Sequence, residues 1–437
     1  MLSPADNELL TRTAAGTPMG QLLRRHWVPA LPAEQVAEPQ CPPVRVTLMG
    51  ERLVVWRDAN GRLSALDERC AHRGASLYFG RNESDESRDG NCGLRCVYHG
   101  WKYDVEGRCV DMPNEPAAST FKERIRLTAY PVAERGDIVW VYMGLADAIP
   151  PLPDLEWAVV PQSHRYVSLR LQRSNFAQAM EGGIDSSHVS FLHSDARLWN
   201  PDWTRAGDST RAHLADDSSP KFFLEPTPYG MLIGARRETA DSQYYWRITQ
   251  WLLPWYNIVA RDGDGPITAH AWVPADDESC WAWSVTYNPD RPLTKEQTDH
   301  YRRGGSVHAE LLPGTYLPAR NAENDYLIDR TLQRTVSFSG ITGIAMQDVA
   351  MQESMGPIAD RGSEHLGSAD AAIIAARRRL LAEAKALADA DGATTPSGLD
   401  PSQHRVRSAS VILPRDVPWV EATAQSRKAA AAHYQDQ

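Results

Sequence analysis

Short stretches of alternating or continuous hydrophobic residues predict β-strands in the first third of the chain. Val44–Leu48 and Leu53–Arg57 are rich in β-branched residues, and Asn60-Gly61 follows them as a two-residue turn. Ile138–Met143 is an apolar run typical of a buried strand. These patterns predict a small β-rich domain.

A different pattern begins after the proline-rich segment Ile149–Pro153, which predicts a domain boundary. Tyr244–Leu252 and Ala269–Val273 alternate polar and aromatic residues and predict antiparallel strands. Ser368–Asp391 is dense in Ala, Leu and Arg and predicts one long helix that is capped by its first residue. At the other end of the chain, Asn7–Arg25 predicts a helical segment. The expected fold class is therefore α+β.

Three parts are expected along the chain. Residues 1–40 form an N-terminal helical segment that packs on the last part, residues 41–148 form the β-rich domain, and residues 149–437 form the largest domain. A chain of this length can bury two or three hydrophobic cores.

Composition and charge narrow the classes of partner. The chain is 42% hydrophobic and 23% charged, which is ordinary for globular protein, and its formal charge of −10 argues against a nucleic-acid partner. An acidic surface instead suits a basic redox partner. The sequence has no apolar run of about 18 residues and its first residues lack a signal-peptide pattern, so we expect a soluble cytoplasmic protein that does not bind membranes.

Two short motifs supply two thiolates and two imidazoles. Cys70-Ala71-His72 and Cys96-Val97-Tyr98-His99 match the ligands of a Rieske [2Fe-2S] cluster, in which His replaces Cys on one iron and raises the potential to about −150 to +300 mV. A structural Cys2His2 zinc site is the alternative. Each motif continues into a glycine-bearing turn, which favours two loops that close over a flat cluster. Cys92 is a rival ligand within a polar segment, and the other cysteines are expected to be reduced thiols.

A second constellation lies at Asp185, His188 and His193. One carboxylate and two imidazoles within nine residues are enough to start a 2-His-1-carboxylate site for Fe(II). Positions five apart lie about 140° apart around a regular helix, so both rings can face one metal only where the helix is irregular. We predict a π-bulge or a broken turn at this point. Asp185 precedes His188, where an acid orients the ligating ring instead of binding the metal.

The carboxylate ligand is expected further along the chain. Asp348 is the only charged residue between Arg334 and Glu353, and an acid enclosed by apolar residues needs a partner or a metal. Alternatives are a solvent-facing Asp348, an ion pair with Arg361, and Glu353 as the ligand.

Together these motifs resemble the catalytic α subunit of a Rieske non-heme iron oxygenase, most closely the phthalate dioxygenase type. The resemblance extends over nearly the whole chain and includes the stretch Asn175–Asp185 and the pair Gln347-Asp348. It implies a β-rich Rieske domain and a catalytic domain with an antiparallel sheet flanked by helices. The acidic segment 83–93 departs from the family pattern and looks like an insertion.

The resemblance also implies cofactors, partners and roles. A [2Fe-2S] cluster and a mononuclear Fe(II) are expected, with electrons from a flavin or iron–sulfur reductase and a homo-oligomer, a trimer or hexamer. The electron is expected to cross between neighbouring subunits, with Asp185 bridging a Rieske histidine, His99, and the iron ligand His188. Asn175 is expected beside the iron pocket, with a helix-capping or core role as the alternative.

The substrate class is inferred from one predicted strand. Alternation along this strand places four side chains on one face: Tyr245, Arg247, Thr249 and Trp251. The guanidinium of Arg247 is thus expected among aromatic and hydroxyl groups. Arg247 could bind the carboxylate of a phthalate-like or benzoate-like substrate. A structural Arg–Asp pair is the alternative, and Arg205 is a second candidate.

Several functions remain open from the sequence. Hydroxylation of an aromatic carboxylate with O2 is the main hypothesis, and monooxygenation or O-demethylation of an aryl ether acid would use the same machinery. An electron-transfer Rieske protein would leave the second histidine motif unexplained, and a zinc-stabilised binding protein would be colourless.

Overall fold

The computed structural model describes residues 1–84, 91–194, 213–214, 216–239, 241–260, 265–390 and 392–434. The chain forms two compact units. The β unit is Arg24–Pro150, and the large unit is Met1–Leu23 together with Pro151–Gln437. Residues 24–40 thus belong to the β unit and not to the N-terminal segment in which the sequence analysis placed them, because the first strand pairs with the last strand of that unit.

The β unit consists of antiparallel strands in three sheets, with orders β1-β11-β10, β2-β3-β4-β9 and β5-β6-β7-β8. The strands are β1 (Trp27–Pro32), β2 (Val44–Leu48), β3 (Glu51–Arg57), β4 (Leu63–Asp67), β5 (Arg81–Ser84), β6 (Cys92–Arg95), β7 (Lys102–Tyr103), β8 (Cys109–Asp111), β9 (Ala129–Tyr130), β10 (Val132–Arg135) and β11 (Ile138–Tyr142). The predicted strands at residues 44–48, 53–57 and 138–143 are all present.

An eight-stranded antiparallel sheet organises the large unit, with order β12-β18-β17-β16-β15-β14-β13 and β19 paired with β15. Its strands are β12 (Arg165–Gln172), β13 (Lys221–Thr227), β14 (Gly230–Glu238), β15 (Tyr244–Leu252), β16 (Tyr256–Val259), β17 (Ile267–Pro274), β18 (Cys280–Tyr287) and β19 (Ala409–Leu413). Eight of the nine residues of β15, from Tyr245 onward, are buried, since one face carries the core and the other is also covered.

The large unit also contains helices. They are α1 (Pro4–Thr11), α2 (Pro18–Arg24, whose last residue begins the β unit), α3 (Glu156–Val159), α4 (Phe176–Ile184), α5 (Lys295–Arg302), α6 (Arg330–Thr335), α7 (Ile344–Ser354), α8 (Ala371–Asp389) and α9 (Trp419–Ala422). Of these, α3, α4 and α8 contact the sheet. The predicted N-terminal helical segment is two helices, and the predicted helix at 368–391 is α8. The α+β class is confirmed. Within the described residues, no helix has the length and apolar character that crossing a bilayer requires.

Two glycines let α4 approach its neighbours closely. A Cβ atom at Gly183 would lie 2.1 Å from the Trp272 ring on β17, and one at Gly182 would lie 2.1 Å from the Gln352 amide on α7. A side chain at Gly183 would push α4 away from the rigid Trp272 ring, and one at Gly182 would displace the buried Gln352 amide. The end of α4 is therefore held where the sheet and α7 meet.

A buried ion-pair network fixes α4 to the C-terminal part of the unit. The Glu181 carboxylate lies 3.1 Å from Arg361, which is fully buried, and 2.8 Å from Arg377 on α8. Burial alone would raise the pKa of the Glu181 carboxyl, but Arg361 and Arg377 outweigh burial and lower that pKa. The alternative that Arg361 pairs with Asp348 is wrong, because its guanidinium binds Glu181.

Replacing this carboxylate is expected to destabilise the large unit. Glu181→Gln leaves the buried Arg361 without its anion and leaves Arg377 with Glu364 alone, so we expect the free energy of unfolding at pH 7 to fall by about 3 kcal/mol. Because the folded pKa is lowered, the difference is fully present above the ordinary pKa of about 4.5 and shrinks as the pH falls below it. Denaturant unfolding measures it, and Glu8→Gln, which breaks an exposed pair with Arg12, should unfold with the wild type. Equal unfolding of both variants would contradict the role of Glu181.

Candidate active site

The two cluster motifs lie in loops that follow β4 and β6. The Cys70 and Cys96 side chains are buried, whereas His72 and His99 are half-exposed. The imidazole rings of His72 and His99 meet edge to face, with their centres 4.4 Å apart and their planes at 78°. Two buried thiols beneath two outer imidazoles form the donor set that a Rieske cluster requires.

Neighbouring groups hold both loops in place. The Tyr103 hydroxyl lies 3.2 Å from Cys70 Sγ, where it can donate to a thiolate, and the Trp101 ring stacks on His72 at 4.5 Å. Each loop turns at a glycine with positive φ, Gly74 and Gly100, where another residue would be strained. Burial raises the pKa of the Cys70 thiol, which favours a bound metal over a free thiolate.

The rival cysteine Cys92 is not part of this arrangement. It is buried on β6, outside the hydrophobic cluster that contains Cys70, Cys96 and Cys109. The segment 83–93 that carries Cys92 lies partly outside the described residues, since positions 85–90 are not described.

The second histidine motif lies where α4 ends. The helix stops at Ile184, Asp185 is extended, and a single 3-10 turn covers His188–Ser190. This is the broken turn that the five-residue spacing predicts. It brings the Nε2 atoms of His188 and His193 to 3.1 Å from each other.

Asp348 completes the group from α7. Its Oδ1 atom lies 3.5 Å from His188 Nε2 and 3.3 Å from His193 Nε2, and the three ligand atoms all lie within 4.8 Å of one another. Two imidazole nitrogens and one carboxylate oxygen that converge in this way fit a facial triad for Fe(II). The rival acid Glu353 is engaged elsewhere, because its carboxylate accepts hydrogen bonds from the Arg173 N–H and the Tyr326 hydroxyl.

Each histidine ring is oriented by an oxygen acceptor on its outer side. Asp185 Oδ2 lies 3.2 Å from His188 Nδ1, and Gln347 Oε1 lies 2.7 Å from His193 Nδ1. Gln347 is itself fixed, since its amide nitrogen donates to the Ile341 carbonyl. Because both of these oxygens accept hydrogen bonds, both rings carry their proton on Nδ1. Both Nε2 atoms are then available to bind a metal.

The electrostatics of the group favour a cation. Burial would raise the pKa of Asp348, but His193 and His188 outweigh burial and lower it. Asp185 behaves likewise, because its hydrogen bond with His188 overcomes burial and lowers its pKa. Both acids are therefore carboxylates at neutral pH. Burial opposes protonation of His188, yet Asp185 and Asp348 raise its pKa, so a proton and a metal compete for this ring.

A cavity of about 360 Å³ adjoins the three ligand atoms. Arg247 and Thr249 of β15 contribute to its wall, whereas Tyr245 and Trp251, which the alternation places on the same face, are buried and do not line it. Apolar groups such as Trp272 and Val307 form other parts of the wall. This size and mixture suit a small aromatic molecule.

Asn175 does not lie in this cavity. Its Oδ1 atom accepts the N–H of Ala177 at the first turn of α4, and its amide nitrogen donates to the carbonyls of Thr11 and Asp277. It is the N-cap of α4, so the expected place beside the iron pocket is wrong and the capping alternative holds. The other substrate candidate, Arg205, lies outside the described residues.

The structure adds three residues that the sequence analysis did not single out as site residues: Gln347, Arg170 and His270. Gln347 precedes the expected ligand, and this adjacency on a helix was the available signal. Arg170 and His270 come from β12 and β17, and only the strand register brings them to the cavity.

Comparisons with known proteins find a matching family for each of the two units. The Rieske [2Fe-2S] domain family matches residues 26–130, and the family described as LigXa C-terminal domain like matches residues 141–437. The chain belongs to the Rieske non-heme iron oxygenases. It is an oxygenase subunit of the phthalate dioxygenase type, and its β unit is a Rieske [2Fe-2S] domain.

Relatives of this oxygenase include the oxygenase subunit of phthalate 4,5-dioxygenase from Pseudomonas putida, 38% identical over 96% of this chain and 94% of the relative. The oxygenase subunit of 3-chlorobenzoate-3,4-dioxygenase from Comamonas testosteroni is 37% identical over 96% and 97%. Among solved structures, dicamba monooxygenase bound to 3,6-dichlorosalicylic acid has a TM-score of 0.59 at 17% identity, over 86% of this oxygenase and all of that chain. The similarity to dicamba monooxygenase, at 17% identity, shows the fold alone.

The converging ligand set predicts how iron is distributed in the oxygenase. Asp348→Ala should lower the iron content from three to two atoms per chain, because the mononuclear site loses its carboxylate and the cluster keeps its own ligands. Metal analysis and the visible spectrum of the cluster measure this. Glu353→Ala is the matched control on the same helix and should keep all three iron atoms. If Glu353→Ala loses iron and Asp348→Ala keeps it, Glu353 is the carboxylate ligand and Asp348 is not.

Proposed function

We propose that this oxygenase hydroxylates an aromatic carboxylate. The observation that carries the proposal is Arg247, a guanidinium that is only 7% exposed in the wall of the cavity next to His188, His193 and Asp348. A buried cation beside a metal-ligand group suits an anionic substrate. The substrates printed in the names of the two 37–38% identical relatives, phthalate and 3-chlorobenzoate, are both aromatic acids.

The ligand roles follow from the geometry. Cys70, Cys96, His72 and His99 would hold a [2Fe-2S] cluster, and His188, His193 and Asp348 would hold a mononuclear Fe(II). When bound, the cluster supplies single electrons and the Fe(II) supplies the site for activation of O2.

The protein's own residues position the substrate. Arg247 Nη2 donates to the Ala260 carbonyl at 3.2 Å, which fixes the guanidinium in the wall. Its charge acts on the pKa of His188, so a carboxylate bound to it would hold the attached ring near the ligand group. The flat surface formed by Trp272 and His270, whose rings stack at 5.1 Å, gives an aromatic ring a face to pack against.

Electron transfer is proposed to run through Asp185. Its carboxylate contacts the outer nitrogen of His188, which is the position from which a second histidine, His99 of a neighbouring subunit, could be bridged. Val97 and Tyr98 beside His99 are each 58% exposed, and such apolar groups suit contact with another protein surface. The proposal includes a homo-oligomer built on trimers, a reductase as electron donor, and action in the cytoplasm.

Product analysis tests the substrate class. With a reductase, NADH and O2, we expect hydroxylated products from at least one acid among phthalate, halobenzoate and methoxybenzoate. Release of formaldehyde from methoxybenzoate would indicate O-demethylation. The matched methyl esters should not be converted, because they lack the anion that Arg247 binds, and Arg247→Gln should raise KM for the acid about tenfold or more. Equal conversion of acids and esters would refute the substrate class.

Asp185→Asn tests the bridge. The amide keeps the shape of the side chain but loses the charge, so we expect both metal sites to fill and product formation to fall at least about tenfold. Rapid-mixing spectroscopy should show that the reduced cluster is no longer reoxidised when substrate and O2 are added. Asp299→Asn on α5, a half-buried acid whose partners are the exposed Lys295 and Arg302, serves as the control. If Asp185→Asn turns over at the wild-type rate, electron transfer does not run through Asp185.

A further inference from the structure

Arg237 is a buried cation on β14, next to the turn that carries the first histidine ligand. It is 0% exposed, and its guanidinium makes four hydrogen bonds. Nε donates to the Asp217 carbonyl at 3.0 Å, and Nη1 donates to the Ser186 hydroxyl at 3.4 Å. Nη2 donates to the Ser186 carbonyl at 2.6 Å and to the Ser190 hydroxyl at 3.3 Å. All four acceptors are neutral oxygen atoms, and the turn supplies three of them.

The lack of a carboxylate partner distinguishes Arg237 from Arg361 and Arg377, which both bind Glu181. Among the described residues no carboxylate lies within ion-pair distance of Arg237. Burial, followed by the charge of Arg247, lowers the pKa of Arg237 to about 10, so the guanidinium is still charged at neutral pH. A charge that is removed from water without an anion has to be held by several well-placed acceptors.

The acceptors on the turn lie on both sides of His188. Ser186 is two residues before this ligand and Ser190 is two residues after it. Asp185 also stabilises the turn, because its carboxylate accepts two backbone N–H groups, but these bonds are local to the turn. Only the guanidinium of Arg237 connects both sides of the turn to the sheet.

The backbone of Arg237 is itself well fixed. β14 pairs with β13 on one side and with β15 on the other, where Tyr245 lies directly opposite Arg237. The positive charge also lies just beyond the C-terminal end of α4, which is where the helix dipole favours a cation. The guanidinium thus favours a helix that stops at Ile184.

We propose that Arg237 is a positioning residue for the mononuclear metal site. Its planar fork holds the turn at Ser186 and Ser190, so that the ring of His188 presents Nε2 to the metal. This inference deepens the proposed function and rests on the ligand roles proposed there. A lysine could supply the charge but not the fork that reaches two residues at once.

Metal binding to the full-length protein tests this role. The cluster stays in place, the mononuclear iron is removed with a chelator, and Fe(II) is titrated without oxygen. We expect Arg237→Gln to raise the Kd for Fe(II) about tenfold or more, because outer support of a ligand contributes about 10- to 100-fold to metal affinity. Arg237→Lys should restore little of this affinity. The visible spectrum of Co(II) bound in place of Fe(II) should change in both variants, whereas the cluster spectrum should not.

A double-mutant cycle with Ser190 separates the positioning role from general support of the fold. Ser190→Ala removes one acceptor and should raise the Kd for Fe(II) about threefold or more, because a hydrogen bond from a charged donor is lost. In the Arg237→Gln background the same change should leave the Kd where it is, since that hydrogen bond no longer exists. A merely structural role would give equal effects in the two backgrounds.

Arg236→Gln is the matched control. Arg236 precedes Arg237 on β14 and points to the other face of the sheet, where its guanidinium lies 4.0 Å from the centre of the Tyr244 ring. It should keep the wild-type Kd and Co(II) spectrum. Wild-type affinity in Arg237→Gln, or an equal effect of Ser190→Ala in both backgrounds, would overturn the positioning role. If Arg237→Gln does not fold, wild-type affinity in Arg237→Lys overturns it equally.

Asp348→Ala separates this inference from the proposed function. If Asp348→Ala loses Fe(II) binding while Arg237→Gln binds Fe(II) like the wild type, the positioning role fails and the ligand roles stand. If the wild type takes up no Fe(II) beyond its cluster, or if Asp348→Ala binds it equally well, the ligand roles fail, and the positioning role fails with them.

Discussion

The termination of α4 is the constraint on which the candidate active site depends. In a regular helix His188 and His193 would point in different directions, and their Nε2 atoms could not come to 3.1 Å. Asp185 ends the helix and accepts the backbone N–H groups of Ser187 and His188, so the same carboxylate breaks the helix and orients the first ring. A change that extended α4 would therefore remove the site even with all three ligands present.

Rigid support for that termination comes from both sides of α4. Gly183 allows contact with the sheet at Trp272, and Gly182 allows contact with α7, the helix that carries Asp348. Glu181 then fixes the same turn to α8 through buried ion pairs. Successive residues at positions 181, 182 and 183 thus connect α4 to three different elements, which keeps the ligand atoms in register although they come from separate parts of the chain.

The sequence predicted those parts of the site whose residues lie close together along the chain, and it did not predict those that the fold brings together from distant positions. The cluster motifs and the pair His188 and His193 are local patterns, and Asp348 was recognisable because a lone acid in an apolar segment needs a partner. The position of Asn175 was predicted wrongly. A short polar side chain directly before a helix most often caps that helix, but capping was given only as the alternative to a place beside the iron pocket. Arg170 could not be found, since its place in the cavity depends on the order of strands far apart in sequence.

Charged groups of both signs line the cavity and act on the ligand group. The charged groups that line it, among the described residues, are Asp185, Asp348, Arg170 and Arg247, two of each sign. A ferrous ion held by His188, His193 and Asp348 would add two positive charges, and His270 adds none because its pKa is about 4. Asp185 and Asp348 raise the pKa of His188 while the charge of Arg247 lowers it, so the electrostatics of the ligand group and of the cavity wall are one problem and not two.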